Sequence, residues 1–465
     1  MPRRLTAPTA LLALLLLAAC TGGGGDGTPG GAPAEEEKPG TIVVASGRDV
    51  TGSNGVRQRL IDAWNRQQRE RSRDAGDPDH YQARLVELPG SADEQRSQLL
   101  GALQSGSARY DVVNLDVTWV PEFAEAGLVR ALPDDLVDAD VIDPVARTAR
   151  WDGKVYAVPF NSDVGLLYYR RDLLRKAGME PPYVPDDFTW GQLRGYITTL
   201  DDNLDDRDLV NGWTTQLDAY EGRTVNAMEA FATAVPGLTL VDEDGRYTGD
   251  VEQLRRGVAE LDRRVDPAYV SPDAKKRDET GSMSEFTEGG TAFLRAWPSA
   301  YPTLYRVFGD RLGVARLPGR AVLGGQNLAV TTTSERARKA TELIRFLTGR
   351  QSERCLLEAG FAATRDSAYD RPARCPAEIS AAPVPSPTGE PDEVPRREGG
   401  RPGFSDAMLK QALERAVHRP RTPLYGASTQ TVITQLEPLV EGGGSADPDE
   451  VARRLDEALR RALRG

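Results

Sequence analysis

Histidine is almost missing from this chain: His80 and His418 are the two in 465 residues, far apart in sequence. A histidine general base, a Ser-His-Asp arrangement or a histidine-rich zinc site would have to rest on one of them, so those chemistries are not expected. Positive charge is also in deficit. Against 70 Asp and Glu stand 58 Lys and Arg, and the formal net charge of −12 repels nucleic-acid phosphates and anionic lipid headgroups alike. No nucleic-acid partner is expected. The chain has no G-x-x-x-x-G-K-[ST] phosphate loop, so any ATPase it works with is a separate chain. Glycines within Thr21 to Gly40 satisfy G-x-G-x-x-G, but no strand precedes them and no amphipathic helix follows, so no dinucleotide cofactor is expected. The acidic loop Asp201 to Asp208 lacks the glycine and distal glutamate of a calcium loop and reads as a surface turn, leaving no metal site.

Long apolar runs are scarce as well. Leu11 to Leu17, behind Arg3 and Arg4, is too short to cross a bilayer and suits the core of an export signal over residues 1–19. It ends in "LLAAC", which resembles the lipobox of bacterial lipoproteins, where cleavage leaves Cys20 lipid-modified. Acyl chains would then hold the protein at the outer face of the cell membrane, with residues 20–40, rich in Gly, Pro and Glu, as a flexible tether. Ordinary secretory cleavage after Ala19 is the other reading. Of three cysteines, Cys355 and Cys375 remain; outside the cell one disulfide is the simplest reading, and two buried thiols the alternative.

From Thr41 the pattern changes to alternating strands and helices. "TIVVAS", "ARLVEL" and "YDVVNLD" are β-branched or apolar strands, and each precedes a helical stretch: "VRQRLIDAWNRQQ", "ADEQRSQLLGALQSG" and "VPEFAEAGLV". Such alternation predicts an α/β fold with a mostly parallel sheet covered on both faces. "LTLVDEDGRYTG" predicts a hairpin turning at Asp244-Gly245, and Val451, Leu455, Leu459 and Leu463 predict an amphipathic terminal helix. The Pro-rich stretch from Ser380 to Gly403 reads as a surface excursion.

Trp297, in "TAFLRAWPSAYP", falls at the carboxyl end of a strand just before Pro298 opens a helix. In open α/β sheets ligands bind outside such strand ends, although a tryptophan there also serves as core. "YDVVNLDVTW" runs out at Asn114 and Asp116, and "VPFNSDVGLLYY" leaves Asn161 and Asp163 between apolar segments. Burying an unpaired carboxylate costs several kcal/mol, on the order of the loss of several hydrogen bonds, so these residues either cap a local helix or meet a polar ligand. An aromatic plate beside Asp, Asn and Arg suits a sugar, whose C–H face stacks on indole while its hydroxyls pair with planar polar groups. In "LGGQNLAV", Gly324 and Gly325 let the backbone approach a ligand, and Gln326 adds an amide; a plain turn would look similar.

The succession of "TIVVASGRDVTG", "YDVVNLDVTWVPEFAEAGLVRAL", "VYAVPFNSDVGLLYYRRDLLRKAG", "GGTAFLRAWPSAY", "GGQNLAV" and "RPRTPLY" resembles the extracellular solute-binding proteins of ABC importers. It is similar in particular to the branch that takes up maltose, trehalose and related oligosaccharides. The resemblance implies a periplasmic-binding-protein-like α/β fold, with two lobes joined by hinge strands around a ligand cleft. Residues 41–158 and 313–352 would form the first lobe, 159–312 the second, and 353–465 mostly the second with C-terminal helices. It makes Asp116 and Asp163 hydroxyl-binding carboxylates, Trp297 the stacking platform, and Gly325 and Gln326 cleft lining, with Asn161 beside them. Many relatives carry an aromatic where Gln326 stands here. "HRPRTPLY" offers Arg419 or Arg421 as the arginine that reaches the sugar, and Arg48, Asp49, Glu94 and Gln95 would face the same cleft, or else form a solvated loop and a helix cap. The implied partners are an oligosaccharide, permease subunits and a separate ATPase, with no catalytic residue and the protein itself a monomer. A surface-anchored glycoside hydrolase using paired carboxylates, and a binding lipoprotein for a non-sugar solute, are the competing readings.

Overall fold

The computed structural model describes residues 37, 39–48, 55–76, 80–89, 91–205, 207–370, 374–380, 408–442 and 445–464. Cys20, Asp49 and most of the Ser380–Gly403 excursion lie outside them.

Two sheets organise the chain. The first has the order β2-β1-β3-β11-β6 and the second β10-β7-β9-β8, with a two-stranded β4-β5 ribbon beside them. The strands are β1 (Thr41–Gly47), β2 (Gln82–Leu88), β3 (Val112–Asp116), β4 (Arg150–Trp151), β5 (Lys154–Val155), β6 (Val158–Val164), β7 (Leu166–Arg170), β8 (Asn211–Thr214), β9 (Thr291–Ala296), β10 (Leu312–Arg316) and β11 (Leu323–Val330). β1 runs parallel to β2 and β3, as βα alternation requires, whereas β11 pairs antiparallel with both β3 and β6. In the second sheet β8 and β9 are parallel, and β7 is antiparallel to β9 and β10.

Both faces of the first sheet are covered. The Val56–Ala75 helix places Val56, Leu60, Ile61 and Trp64 against Ile42 and Val44 on one side, and the other side holds Leu99, Leu103, Trp119 and Phe123 around Ala45 and Val113. The second sheet carries its own core, in which Leu167, Phe293 and Trp213 meet Phe231, Leu254 and Val258. The Glu221–Ala234 and Val251–Arg264 helices pack on each other and on the C-terminal pair, Tyr425–Glu441 and Pro448–Ala462. In the last helix Val451, Leu455 and Leu459 are buried, and Leu463 follows them. The expected hairpin also forms, with a bridge between Val241 and Tyr247 and a turn at Gly245 (φ 78°).

Among the described residues, three passages connect the two lobes. The chain leaves the first sheet at Gly165, between β6 and β7; it returns through Val322, between β10 and β11; and it crosses again at Val417 on its way to the Tyr425–Glu441 helix. Strand pairing therefore carries the first lobe on to Val164, beyond the division at 158/159 read from the sequence, and Asp163 belongs to the first sheet beside Gly324. The Arg350–Glu358 and Lys410–Glu414 helices contact β6 in the first lobe. Cys355 and Cys375 are joined in a disulfide with Cα atoms 4.7 Å apart, closing a separation of 20 residues on that lobe.

Candidate functional site

Pairing register brings several of the sequence candidates into one row. Gln326 of β11 is opposite Asp116 on one side and Asn161 on the other, with an irregularity in the pairing just after it. Beneath the row lies an arginine that sequence reasoning missed. Arg57, from the first turn of its helix, donates from Nη2 to Gln326 Oε1 (2.7 Å) and Asn161 Oδ1 (3.2 Å), and from Nη1 to Ser46 Oγ and the Gly47 carbonyl, both at 3.1 Å. Asn114 Nδ2 adds a second donor to Gln326 Oε1 at 2.7 Å. With its oxygen engaged twice, the Gln326 amide has its NH2 as the group left to offer a ligand.

Gly325 allows this close packing. Its φ is +119°, and a Cβ there would sit 2.4 Å from the Asn161 carbonyl oxygen and 2.7 Å from Ser162 Cα. Both are backbone atoms of the neighbouring strand, so neither can turn aside. Gly325→Ala is expected to destabilise the protein by at least about 2 kcal/mol through strain and overpacking. Urea unfolding checks it; a change below about 0.5 kcal/mol would show that the strands part freely there.

Asp116 ends β3 and accepts from Thr118 N–H (2.9 Å) and Thr118 Oγ1 (2.7 Å), a local turn. It also takes Arg419 Nη2 at 2.9 and 3.2 Å. The same guanidinium donates from Nη1 to Glu221 Oε1 at 2.6 Å, and Glu221 begins a helix of the second lobe. One buried arginine thus ties a carboxylate of each lobe. Burial opposes the Arg419 charge, but Asp116, Tyr425 and Glu221 outweigh it and raise its pKa well above the ordinary value. Burial pushes Glu221 up from 4.5, and Asp116 adds to this, against the lowering by Arg419, Tyr425 and Thr429. Asp93 joins this group. Its pKa is raised, first by burial and also by Asp116, while the Glu221 backbone, Arg96 and Arg419 pull it down.

Trp297 lies on the other side of the cleft, directly after β9. Its ring edge and Asp163 flank Gly324, where a Cβ would be 3.1 Å from both Trp297 Cζ3 and Asp163 Cβ. The indole Nε1 donates to Glu279 Oε1 at 3.4 Å, and Tyr220 Oη donates to Glu279 Oε2 at 2.7 Å. One face of the ring carries the Arg295 guanidinium, 3.8 Å from its centroid.

Not every candidate joins these clusters. Glu94 is exposed and engaged in a capping box, accepting from Ser91 N–H at 2.7 Å, so it is Asp93 of that helix that faces Asp116. Arg421 donates to the Arg150 carbonyl, away from Asp116. Arg48 is exposed, with its N–H bonded to the Leu88 carbonyl. Glu221 and Tyr220 had no local sequence signal, because each acts through a partner more than fifty residues away, and Glu279 had none because it lies on a different element from both Trp297 and Tyr220.

Two α/β lobes joined by three passages, with polar and aromatic side chains converging from both, define a two-lobed solute-binding architecture. The chain belongs to the bacterial extracellular solute-binding protein family, which it matches over residues 79–383. It is 28% identical over 287 residues to a "Probable ABC transporter-binding protein" of Deinococcus radiodurans, covering 58% of this chain and 66% of that one. It is 25% identical over 189 residues to the sn-glycerol-3-phosphate-binding periplasmic protein UgpB of Escherichia coli K12, 38% of this chain and 41% of that one. The chain thus spans less than two thirds of the length of these curated relatives. Among solved structures, maltose-bound MalE3 of T. maritima superposes with a TM-score of 0.72 over 91% of this chain and 100% of that chain, at 23% identity. The GacH receptor of Streptomyces glaucescens gives 0.70 over 91% and 98%, at 22% identity. Identities this low speak to the fold.

Proposed function

We propose that the protein is the substrate-binding lipoprotein of an ABC importer, anchored through Cys20, and that it captures a neutral oligosaccharide and delivers it to permease subunits driven by a separate ATPase. The ligand class is a glucose-containing disaccharide or a short relative of it. The observation that carries this reading is the convergence of Asp116, Asn161, Asp163 and Gln326 from one lobe with Trp297, Glu221 and Glu279 from the other. A ligand that touches both lobes stabilises the closed form, which a one-lobe contact cannot do.

Charge separates this from two neighbouring ligand classes. The polar groups of the cleft are mainly carboxylates, Asp93, Asp116, Asp163, Glu221 and Glu279, which accept sugar hydroxyls and repel a phosphoester. Arg295 on one face of the Trp297 ring draws on its π density, so the opposite face suits C–H groups better than a quaternary ammonium. Asp116, Asp163 and Trp297 are the residues on which we place ligand contact, with Gly325, Gln326, Asn161 and Arg419 shaping the cleft around them.

Intrinsic tryptophan fluorescence of the full chain, titrated with maltose, trehalose, sucrose and longer glucans, tests the proposal. One sugar should give a saturating change, and Trp297→Ala should weaken it at least about tenfold, or 1.4 kcal/mol. Silence across the panel, with Trp297→Ala merely less stable, would return this indole to the core and sink the sugar reading.

A further inference from the structure

The Arg295 guanidinium behind the Trp297 ring is clamped by Glu229, with Nη2 to Oε1 at 2.8 Å and Nε to Oε2 at 3.3 Å. Both side chains are 1% exposed. Ion pairs buried this completely are seldom the most stable way to fill a core, because desolvation offsets most of their attraction. The position of this pair suggests another role.

Each passage between the lobes leads to the same carboxylate. At the first, a Cβ on Gly165 would lie 2.4 Å from Glu229 Oε1 and 3.0 Å from Arg295 Nη2, so the backbone comes this near only because it is glycine. At the second, the Val322 N–H donates to Glu229 Oε1 at 3.2 Å. At the third, Val417 bridges to Val322 in parallel, and its carbonyl accepts from Leu323 N–H at 2.8 Å. Gln216 completes the mounting: its Nε2 donates to the Arg295 carbonyl at 2.9 Å, and its Oε1 accepts from Arg295 Nη1 at 3.4 Å.

We infer that Glu229 and Arg295 are positioning residues that couple the Trp297 platform to the passages on which the lobes bend. The pair fixes the indole on one side and the backbone of the passages on the other, so moving either end shifts a fork that tolerates few geometries. A ligand seated on Trp297 therefore bears on the hinge through two side chains that never touch it, an inference that rests on the reading of Trp297 as the ligand platform. Hinge bending requires a few main-chain positions to absorb the rotation, and Gly165 and Val322 are such positions.

The test uses the full chain with Cys20→Ser, spin-labelled through cysteines placed at exposed Ser105 on the first lobe and Thr198 on the second. Pulsed dipolar spectroscopy then reads the distance between the lobes with and without the sugar found by titration. Glu229→Gln with Arg295→Met removes both charges together and keeps the volume, so no lone buried ion is left. The ligand-free distance distribution is expected to broaden or shift in that variant, and sugar affinity to fall at least about tenfold. If the double variant does not fold, Gly165→Ala, which presses on the same pair with both charges retained, is read in the same way. A distribution identical to that of the parent overturns the coupling, since a pair that only fills the core would leave it unmoved. Should the parent bind no sugar while the ligand-free distribution still changes in the variant, the coupling stands and the sugar reading fails.

Discussion

Replacing Arg419 by alanine should cost the fold about 3–5 kcal/mol at neutral pH, the loss typical of a broken buried ion pair. The side chain is 2% exposed and pairs with Asp116 in one lobe and Glu221 in the other. Its removal strands Glu221 with Tyr425, Thr429 and a repelling Asp116. The sign of the pH dependence follows. The Glu221 pKa already lies above 4.5, and loss of the guanidinium raises it further. A carboxyl raised on folding lets the folded state bind more protons than the unfolded one, so its share of the stability is present below 4.5 and lost as pH rises through the folded pKa. The deficit of Arg419→Ala should accordingly be larger at pH 8 than at pH 4 in urea titrations. A deficit under about 1 kcal/mol, the range of a solvated surface pair, would mean that the bridge is not buried in solution. The variant should also bind sugar more weakly, because a contact spanning the lobes disappears.

His418 gives the second large effect, with the opposite sign. Burial, and then Arg421, Arg147 and Arg419 around it, push the imidazole pKa from 6.5 down to about 4. Unfolding lets it take up a proton at its ordinary pKa, so between pH 6.5 and 4 the unfolded state binds more protons and stability falls as pH falls. The full penalty, reached below pH 4, is about 3 kcal/mol. His418→Gln, which cannot titrate, should lose this acid-side decline and exceed the parent in stability near pH 4, while matching it closely at pH 7.5. Urea midpoints measured at half-unit steps of pH would decide the matter; parallel curves for the two proteins would show that the cationic surroundings do not act on the ring. Glu221 offsets part of the decline in the parent, since its contribution grows in the same direction of pH, which is why the comparison must be made between variants and not on one protein.

Much of the fold was readable in the chain because it rests on local periodicity. The β1, β2 and β3 segments and the helices between them declare themselves through β-branched runs and helical spacing, which are properties of neighbours in sequence. Trp297 before Pro298 could be assigned to a strand end for the same reason, since alternation and proline geometry are local. The candidate site was legible in part. Asp116 and Asp163 drew attention because each interrupts an apolar pattern, and Trp297 because it ends a strand just before a proline. On one helix the sequence pointed to Glu94 and Gln95, whereas it is the neighbouring Asp93 that faces Asp116, because a capping bond consumes Glu94.

Composition and short-range pattern alone determined that the chain alternates strands and helices from Thr41 onward and places polar and aromatic residues at strand ends. Tertiary structure decided the rest: that β6 stays in the first sheet through Val164, that Arg419 joins Asp116 to Glu221, and that Glu229 stands where the passages meet. The physical reason is distance along the chain. Pairings separated by 93 to 303 residues arise from packing and register, and no local preference of either partner specifies them.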